Sequence, residues 1–318
     1  LRTASKAAPL ALPSLVLLKR ASFEQAVEEQ LIIPVPAEEE GDTDPDWYPY
    51  AKAMGLVNEI QHGYPFIGDA MILVHRPVEI ERESLTSWTD ILEVNSPLLF
   101  PAADERALLT LGLYLSKAGS LYDENQRLTL DEEVMRSVLT VYQNGSEKEI
   151  FPYWLSQFDD DNQTWKAYHD DQGDVVVTWT SLYLNELPVD SSAVPLRGIE
   201  NQPFTLADGW VWAISEPDVE QQELATQMAQ FLVEPSFLAK FTISAGYLPV
   251  RPSTTSTVTD RIIQNLLEDT ASNAMLIPGN GIFDSFTMNL RDAILSIIKE
   301  QTDSNSALEL LLRTTSLP

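Results

Sequence analysis

Four short apolar runs, separated by segments with a helical pattern, constrain the fold of this chain most. They have the length and side chains of buried strands, and they span residues 15–18, 70–74, 175–179 and 210–214. Between them apolar residues recur at helical spacing, as at Val134, Val138, Val141 and Tyr142. Strands separated by helices predict an α/β fold built on parallel sheets.

The 318 residues are enough for two lobes, each with its own core. The Pro-bounded residues 97–101 have the composition of a linker and predict a crossing between such lobes. Ser22 with Gln25, and Thr129 with Glu132, have the spacing of capping boxes and predict the starts of two helices.

Charge and cysteine content exclude several classes of protein. The net charge of −28 repels phosphate backbones and anionic lipid, so we expect no nucleic-acid partner and a neutral or cationic ligand. The chain has no cysteine, which excludes disulfides, thiolate metal sites and cysteine nucleophiles. No apolar run reaches the length of a membrane span.

The motifs of enzymes and metal sites are missing from the sequence. The three histidines show no paired spacing, and there is no Gly-rich phosphate loop or Gly-x-Ser-x-Gly elbow. Residues 159–162 have carboxylates like a calcium loop but lack its Gly and Glu, so a helix start is the better interpretation. We therefore predict no catalytic residues, no metal and no cofactor.

Aromatic and polar residues stand at the ends of the predicted strands. Trp179 ends one strand and is followed by Ser181 and Tyr183, while Asp208 comes just before the strand that holds Trp210. In α/β sheets, ligands bind where strands end. Aromatic rings pack against the C–H faces of sugars while carboxylates accept their hydroxyls. This pattern favours a carbohydrate ligand.

Tyr64 and Asp69, which precede the strand at 70–74, extend this candidate site. Each residue has an alternative role in packing or capping. For Trp88, Trp165 and Trp212 the packing role is the better interpretation, because they lie inside predicted helices or farther along a strand.

Six segments, in order, resemble the family 1 (maltose-type) extracellular solute-binding proteins of ABC importers. They are residues 64–74, 86–92, 119–125, 175–179, 207–215 and 245–251. The most specific is the last, which contains Gly-Tyr-Leu-Pro-Val-Arg. Two positions depart from the family, since Ser14 replaces an Asp and Asp208 replaces a Gly.

The resemblance implies an α/β fold of two Rossmann-like lobes with an interlobe cleft, periplasmic-binding-protein-like and of type II. Lobe one would comprise 1–99 plus 207–247, and lobe two 100–206 plus 248–318, with crossings near 98–101, 203–207 and 247–251. The family's first strand and helix have no counterpart, so lobe one is expected to be N-terminally incomplete.

The resemblance also implies a function, which is the capture of a mono- or oligosaccharide by hinge closure, without enzymatic activity. Asp69 matches the family's hydroxyl-binding acid, 179–183 its aromatic loop, 208–210 the first-lobe loop and Arg251 a residue after the third crossing. The expected partners are ABC permease subunits. The protein would be a monomeric, extracytoplasmic bacterial protein, either periplasmic or a cell-surface lipoprotein.

Two alternatives remain open at this point. The same fold can serve as a ligand-sensing module that feeds a receptor, which permease genes beside this one would argue against. A carbohydrate-active enzyme, such as a glycosidase, would turn over chromogenic glycosides, whereas a binding protein would not.

Overall fold

The computed structural model describes residues 1–3, 12–35, 44–118, 120–123, 127–279 and 283–314. Its strands are β1 (Leu15–Lys19), β2 (Leu56–Val57), β3 (Ile60–Gln61), β4 (Gly63–His75), β5 (Leu98–Leu99), β6 (Val175–Trp179), β7 (Ser192–Pro195), β8 (Thr205–Ile214) and β9 (Ala274–Leu276). The four predicted strands are confirmed, with β4 and β8 longer than their apolar runs.

Helices separate most of these strands, although β2, β3 and β4 follow one another directly. The helices are α1 (Arg20–Glu28), α2 (Pro49–Met54), α3 (Trp88–Ile91), α4 (Leu108–Ala118), α5 (Glu132–Glu147), α6 (Asp161–His169), α7 (Thr180–Glu186), α8 (Val219–Leu232), α9 (Pro235–Ser244), α10 (Pro252–Thr255), α11 (Arg261–Ser272), α12 (Phe283–Ile298) and α13 (Ser304–Thr314). No helix in the described ranges has both the length and the apolar character needed to cross a bilayer.

The chain divides into two compact units. The first comprises Leu1–Ala70 and Ala207–Gly279, and the second comprises Met71–Leu206 and Asn280–Pro318. These bounds differ from the predicted lobes, because 71–99 belongs to the second unit and 248–279 to the first. The crossing expected near 203–207 is present, whereas those expected near 98–101 and 247–251 are not.

The difference has a local physical cause at each place. Residues 97–101 are no linker, since Leu98 and Leu99 are fully buried and form β5 beside β6. At the other place, Gly68 and Leu248 exchange backbone hydrogen bonds of 2.9 Å, which keep the segment after α9 in the first unit. The first crossing instead lies inside β4, after Ala70.

In the first unit, β8 lies between β1 and β4 and runs antiparallel to both. Leu15 is opposite Ile214, and Asp69 is opposite Asp208. In the second unit, the end of β4 is antiparallel to β6 and β7, while β5 is parallel to β6. The prediction of parallel sheets is therefore wrong for most of these pairs, because the chain leaves the first unit along β4 and returns along β8.

Two predicted helix starts are also wrong by a few residues. Asp131 rather than Thr129 caps α5, with its carboxylate accepting the backbone N–H groups of Glu133 and Val134 at 3.0 Å. A carboxylate in this position satisfies the free N–H groups and also suits the helix dipole. Helix α1 begins at Arg20, ahead of Ser22, directly after β1. Of the turn predicted at 119–125, residues 120–123 are described, with Tyr122 in an isolated antiparallel bridge to Leu128, and the other three lie outside the described residues.

Candidate functional site

Two carboxylates face each other across a pair of strands in the first unit. Asp69 in β4 is directly opposite Asp208 in β8, and both side chains are half-buried. Lys19, the last residue of β1, places its Nζ 3.1 Å from Oδ2 of Asp208. The other oxygen of Asp208 accepts the Gly209 backbone N–H at 2.8 Å. The two carboxylates can accept hydrogen bonds from ligand hydroxyl groups, and the Lys19 ammonium group can donate a hydrogen bond to a hydroxyl oxygen.

Strand alternation puts these charges on one face and tight packing on the other. Asp208, Trp210 and Trp212 alternate with buried neighbours along β8, and Trp210 is opposite Lys19. A Cβ at Gly68 would collide with the Tyr50 ring, and one at Gly209 with Met54 of α2. These two glycines therefore let α2 lie directly against the sheet.

The packed face holds a buried phenol close to the carboxylates. Tyr50 donates its hydroxyl to the Pro249 carbonyl at 2.7 Å. Burial raises the pKa of Tyr50 well above its ordinary value, and the nearby Tyr48 and Asp69 raise it further. Tyr50 is therefore a neutral hydrogen-bond donor throughout the ordinary pH range.

In the second unit, Trp179 is held by a hydrogen bond at the end of β6. Its indole Nε1 donates to Oδ2 of Asp161 at 2.7 Å, and the half-buried ring is thereby fixed in orientation. Asp160 caps α6 by accepting the backbone N–H groups of Asn162 and Gln163, at 2.8 and 3.0 Å. The acidic tract is thus a helix start, as interpreted from the sequence.

Helix α7 follows Trp179 without a loop, which differs from the predicted aromatic loop. Ser181 is half-buried in its first turn, whereas Tyr183 is only 5% exposed. The direct passage from strand to helix restricts this part of the candidate site to Trp179, Ser181 and Asp161.

A pocket of about 430 Å³ lies elsewhere in the first unit. Tyr64 and Arg251, both predicted as site residues, line it together with Trp47. Arg251 is 6% exposed, its Nε donates to the Val233 carbonyl at 3.0 Å, and its guanidinium lies 3.6 Å from the centre of the Trp47 ring.

The structure thus groups the eight predicted residues in three places. Asp69, Asp208 and Trp210 lie together on β4 and β8, Tyr64 and Arg251 line the pocket, and the second unit holds Trp179, Ser181 and Tyr183. Trp88 and Trp165 are buried, at 3% and 4% exposure, as their packing role predicts. Trp212 is half-buried and packs against Phe66, with the ring centres 5.5 Å apart.

Sequence reasoning missed three residues of these places. Lys19 ends an apolar run, a position that indicates a strand terminus, and Asp161 belongs to the acidic tract that was interpreted only as a helix start. Trp47 had no neighbouring pattern to mark it. Among the described residues, no group of three His, Asp or Glu side chains could hold a metal ion.

Comparison with solved structures gives close matches over nearly the whole chain. The sugar-binding protein MalE from Xanthomonas citri matches with a TM-score of 0.79 and 16% identity, over 99% of this chain and 88% of that one. The chain has the periplasmic-binding-protein fold. Maltose-bound MalE3 from T. maritima matches with a TM-score of 0.72 and 15% identity, over 99% and 86% of the two chains.

The cyclic α-maltosyl-1,6-maltose-binding protein from Arthrobacter globiformis is a third match. Its TM-score is 0.76 at 14% identity, and the alignment covers 99% of this chain and 86% of that one. No protein-family model and no curated protein sequence matches the chain. Identities this low establish the periplasmic-binding-protein fold and leave the ligand to be argued from the residues.

Proposed function

We propose that this protein binds a carbohydrate without transforming it and delivers it to an ABC importer. The proposed ligand contacts are Lys19, Asp69, Asp208 and Trp210 from the first unit and Trp179 with Ser181 from the second. Closure of the two units around the sugar would bring both sets to the ligand.

The opposed carboxylates are the observation that carries this proposal. Like charges directly opposite on paired strands destabilise a sheet, and the positive charges of Lys19 and Arg20 reduce that repulsion at Asp208. Two acceptors a strand spacing apart suit adjacent hydroxyl groups of a sugar, which can donate to both.

The aromatic residues supply the other half of sugar recognition. Trp210 lies on the same strand face as Asp208, so an apolar ring surface accompanies the acceptors. Trp179 is fixed by Asp161, so little conformational entropy is lost when a sugar packs against its ring. Each unit thereby offers one indole.

The structural relatives indicate which sugars to test first. Maltose is named for the T. maritima protein and a cyclic maltosyl-maltose for the Arthrobacter protein. α-Linked glucose oligosaccharides are therefore the first candidates, with monosaccharides and polyols as the comparison group.

Calorimetry with glucose, maltose and maltotriose tests the proposal. For the sugar that binds wild type, we expect Trp179→Ala and Trp210→Ala each to weaken affinity by about 30-fold or more, about 2 kcal/mol, as for other central aromatic contacts. Trp154→Ala is the matched control, since it removes a half-buried indole of the second unit that packs on Phe158. Unchanged affinity in both test variants would place the sugar elsewhere.

Three further experiments test the partner, the class and the location. Reconstitution with ABC permease subunits from the same bacterium should give sugar-dependent ATP hydrolysis, whereas a sensing module would show none. Incubation with chromogenic glycosides should release no product, and turnover would favour the glycosidase alternative. Export of the protein, by fractionation of the bacterium, would support the proposed extracytoplasmic location.

A further inference from the structure

The pocket beside Arg251 is separate from the opposed carboxylates. Tyr64, which lines it, precedes Asp69 by five residues in β4, which corresponds to about 17 Å along an extended strand. Lys19, Asp208 and Trp210 are all absent from its lining. At about 430 Å³ it falls within the range of small-molecule sites.

A fixed aromatic ring forms one wall of this pocket. The Arg251 guanidinium covers Trp47, and Asp44 pairs with the same guanidinium. Partial burial raises the pKa of Asp44, but the hydrogen bonds from Arg251 and the Asp46 backbone, with the charges of Arg251 and Lys52, outweigh it and leave the pKa below its ordinary value. Trp47 is therefore backed by a neutralised ion pair, and its half-exposed ring is available to a ligand.

Polar side chains without protein partners complete the lining. Glu234 and Gln230, at the end of α8 and the start of α9, make no side-chain hydrogen bond or ion pair with any described residue. Gln61 uses only its amide nitrogen, in a weak 3.4 Å contact with the Gly63 carbonyl. Three planar acceptor-bearing side chains thus line the same pocket as an aromatic ring.

The charge of the lining decides between ligand classes. Asp44, Asp46 and Glu234 oppose Lys52 and Arg251, and the guanidinium of Arg251 is already occupied by protein oxygens. An anionic ligand would find only the exposed Lys52. A neutral polyhydroxyl compound, by contrast, can use the carboxylate and amides for its hydroxyls and the indole for its ring face.

We propose that this pocket is a second carbohydrate site, in which a sugar packs on Trp47 and is hydrogen-bonded by Gln61, Gln230 and Glu234. The site lies wholly within the first unit, so it is filled independently of the contacts in the second. A short glucose oligosaccharide would place one terminal ring there.

Fluorine NMR of protein labelled with 5-fluorotryptophan tests this site directly. The chain has seven tryptophans, and the Trp47 signal is the one that Trp47→Phe removes. The titration with maltose uses a Trp179→Ala, Trp210→Ala background, in which the site proposed above is disabled. The Trp47 signal should move with millimolar affinity, and Glu234→Gln together with Gln230→Ala should weaken that affinity by about tenfold.

Glu220→Gln is the matched control, because it neutralises an exposed carboxylate at the other end of α8 and should leave the titration unchanged. A Trp47 signal that stays still up to about 50 mM maltose overturns the second site. So does a signal that moves in wild type but not in the double-alanine background. Loss of the main site alone leaves the Trp47 titration intact, so the two proposals fail separately.

Discussion

Charge is handled in two opposite ways in the first unit. Around Arg251 the cation is buried and its polar atoms contact Val233, Asp44 and Asp46, so that attraction and hydrogen bonding replace lost hydration. Around Asp208 two like charges face each other, near Lys19, which is half in solvent, and Arg20. The first arrangement is a buried ion pair, whereas the second places two carboxylates opposite each other on paired strands. We therefore expect substitutions at the two places to differ in their effect on stability.

The largest effect should come from breaking the satisfied arrangement. Arg251→Met leaves Asp44 and the Val233 carbonyl without their donor and uncovers Trp47, so we expect the free energy of unfolding to fall by about 3 kcal/mol. Urea denaturation measures this. Arg261→Met, which removes an exposed guanidinium on α11, should change it by no more than about 0.5 kcal/mol. Equal losses in the two variants would show that the buried Arg251 contributes no more to stability than an exposed arginine.

The opposed carboxylates should respond in the other direction. Asp69→Asn removes a like charge facing Asp208, so stability should be unchanged or slightly higher. Sugar affinity should fall by about 10- to 100-fold, because an acceptor of two hydroxyls is weakened. Paired denaturation and calorimetry give both values, with the exposed Asp269→Asn as control. A clear loss of stability would make Asp69 a structural residue.

The smallest expected effect concerns the buried His75 of the second unit, whose burial should make stability depend on pH. Burial lowers the pKa of His75 below 6.5, and the charge of Arg82 lowers it further, against the hydrogen bond with the Ile80 carbonyl. As the pH falls, the histidine is therefore protonated in the unfolded chain before it is protonated in the folded one. The stability contributed by neutral His75 is fully present above pH 6.5 and is lost as the pH falls below that value.

His75→Phe should flatten that decrease, whatever its stability at neutral pH. Unfolding free energies measured from about pH 8 to pH 5 show the slope. A variant at position 75 with the same slope as wild type would assign the acid sensitivity to carboxylates.

The sequence predicted the strands better than their pairing. Apolar runs located β1, β4, β6 and β8, because strands that are buried consist mainly of apolar residues. Their antiparallel order depends on which way the chain crosses between the units, and a run of side chains does not encode direction. The same holds for 97–101, where prolines suggested a linker although the Leu98 and Leu99 side chains are buried.

The candidate site was predictable to a similar degree. Asp69, Asp208 and Trp210 could be grouped from strand ends and resemblance, but Lys19 joins them only through the register of β1 on β8. The role of Asp161 required a hydrogen bond from a residue 18 positions later. Such partners are set by tertiary distance, which spacing along the chain does not reveal.

The close contact of α2 with the sheet has a consequence for engineering. Gly68 and Gly209 must stay free of side chains, yet their neighbours Asp69, Asp208 and Trp210 point to the opposite face. A library confined to that outer face would vary the proposed ligand contacts while the packed layer beneath stays untouched. The scaffold therefore lends itself to biosensor design.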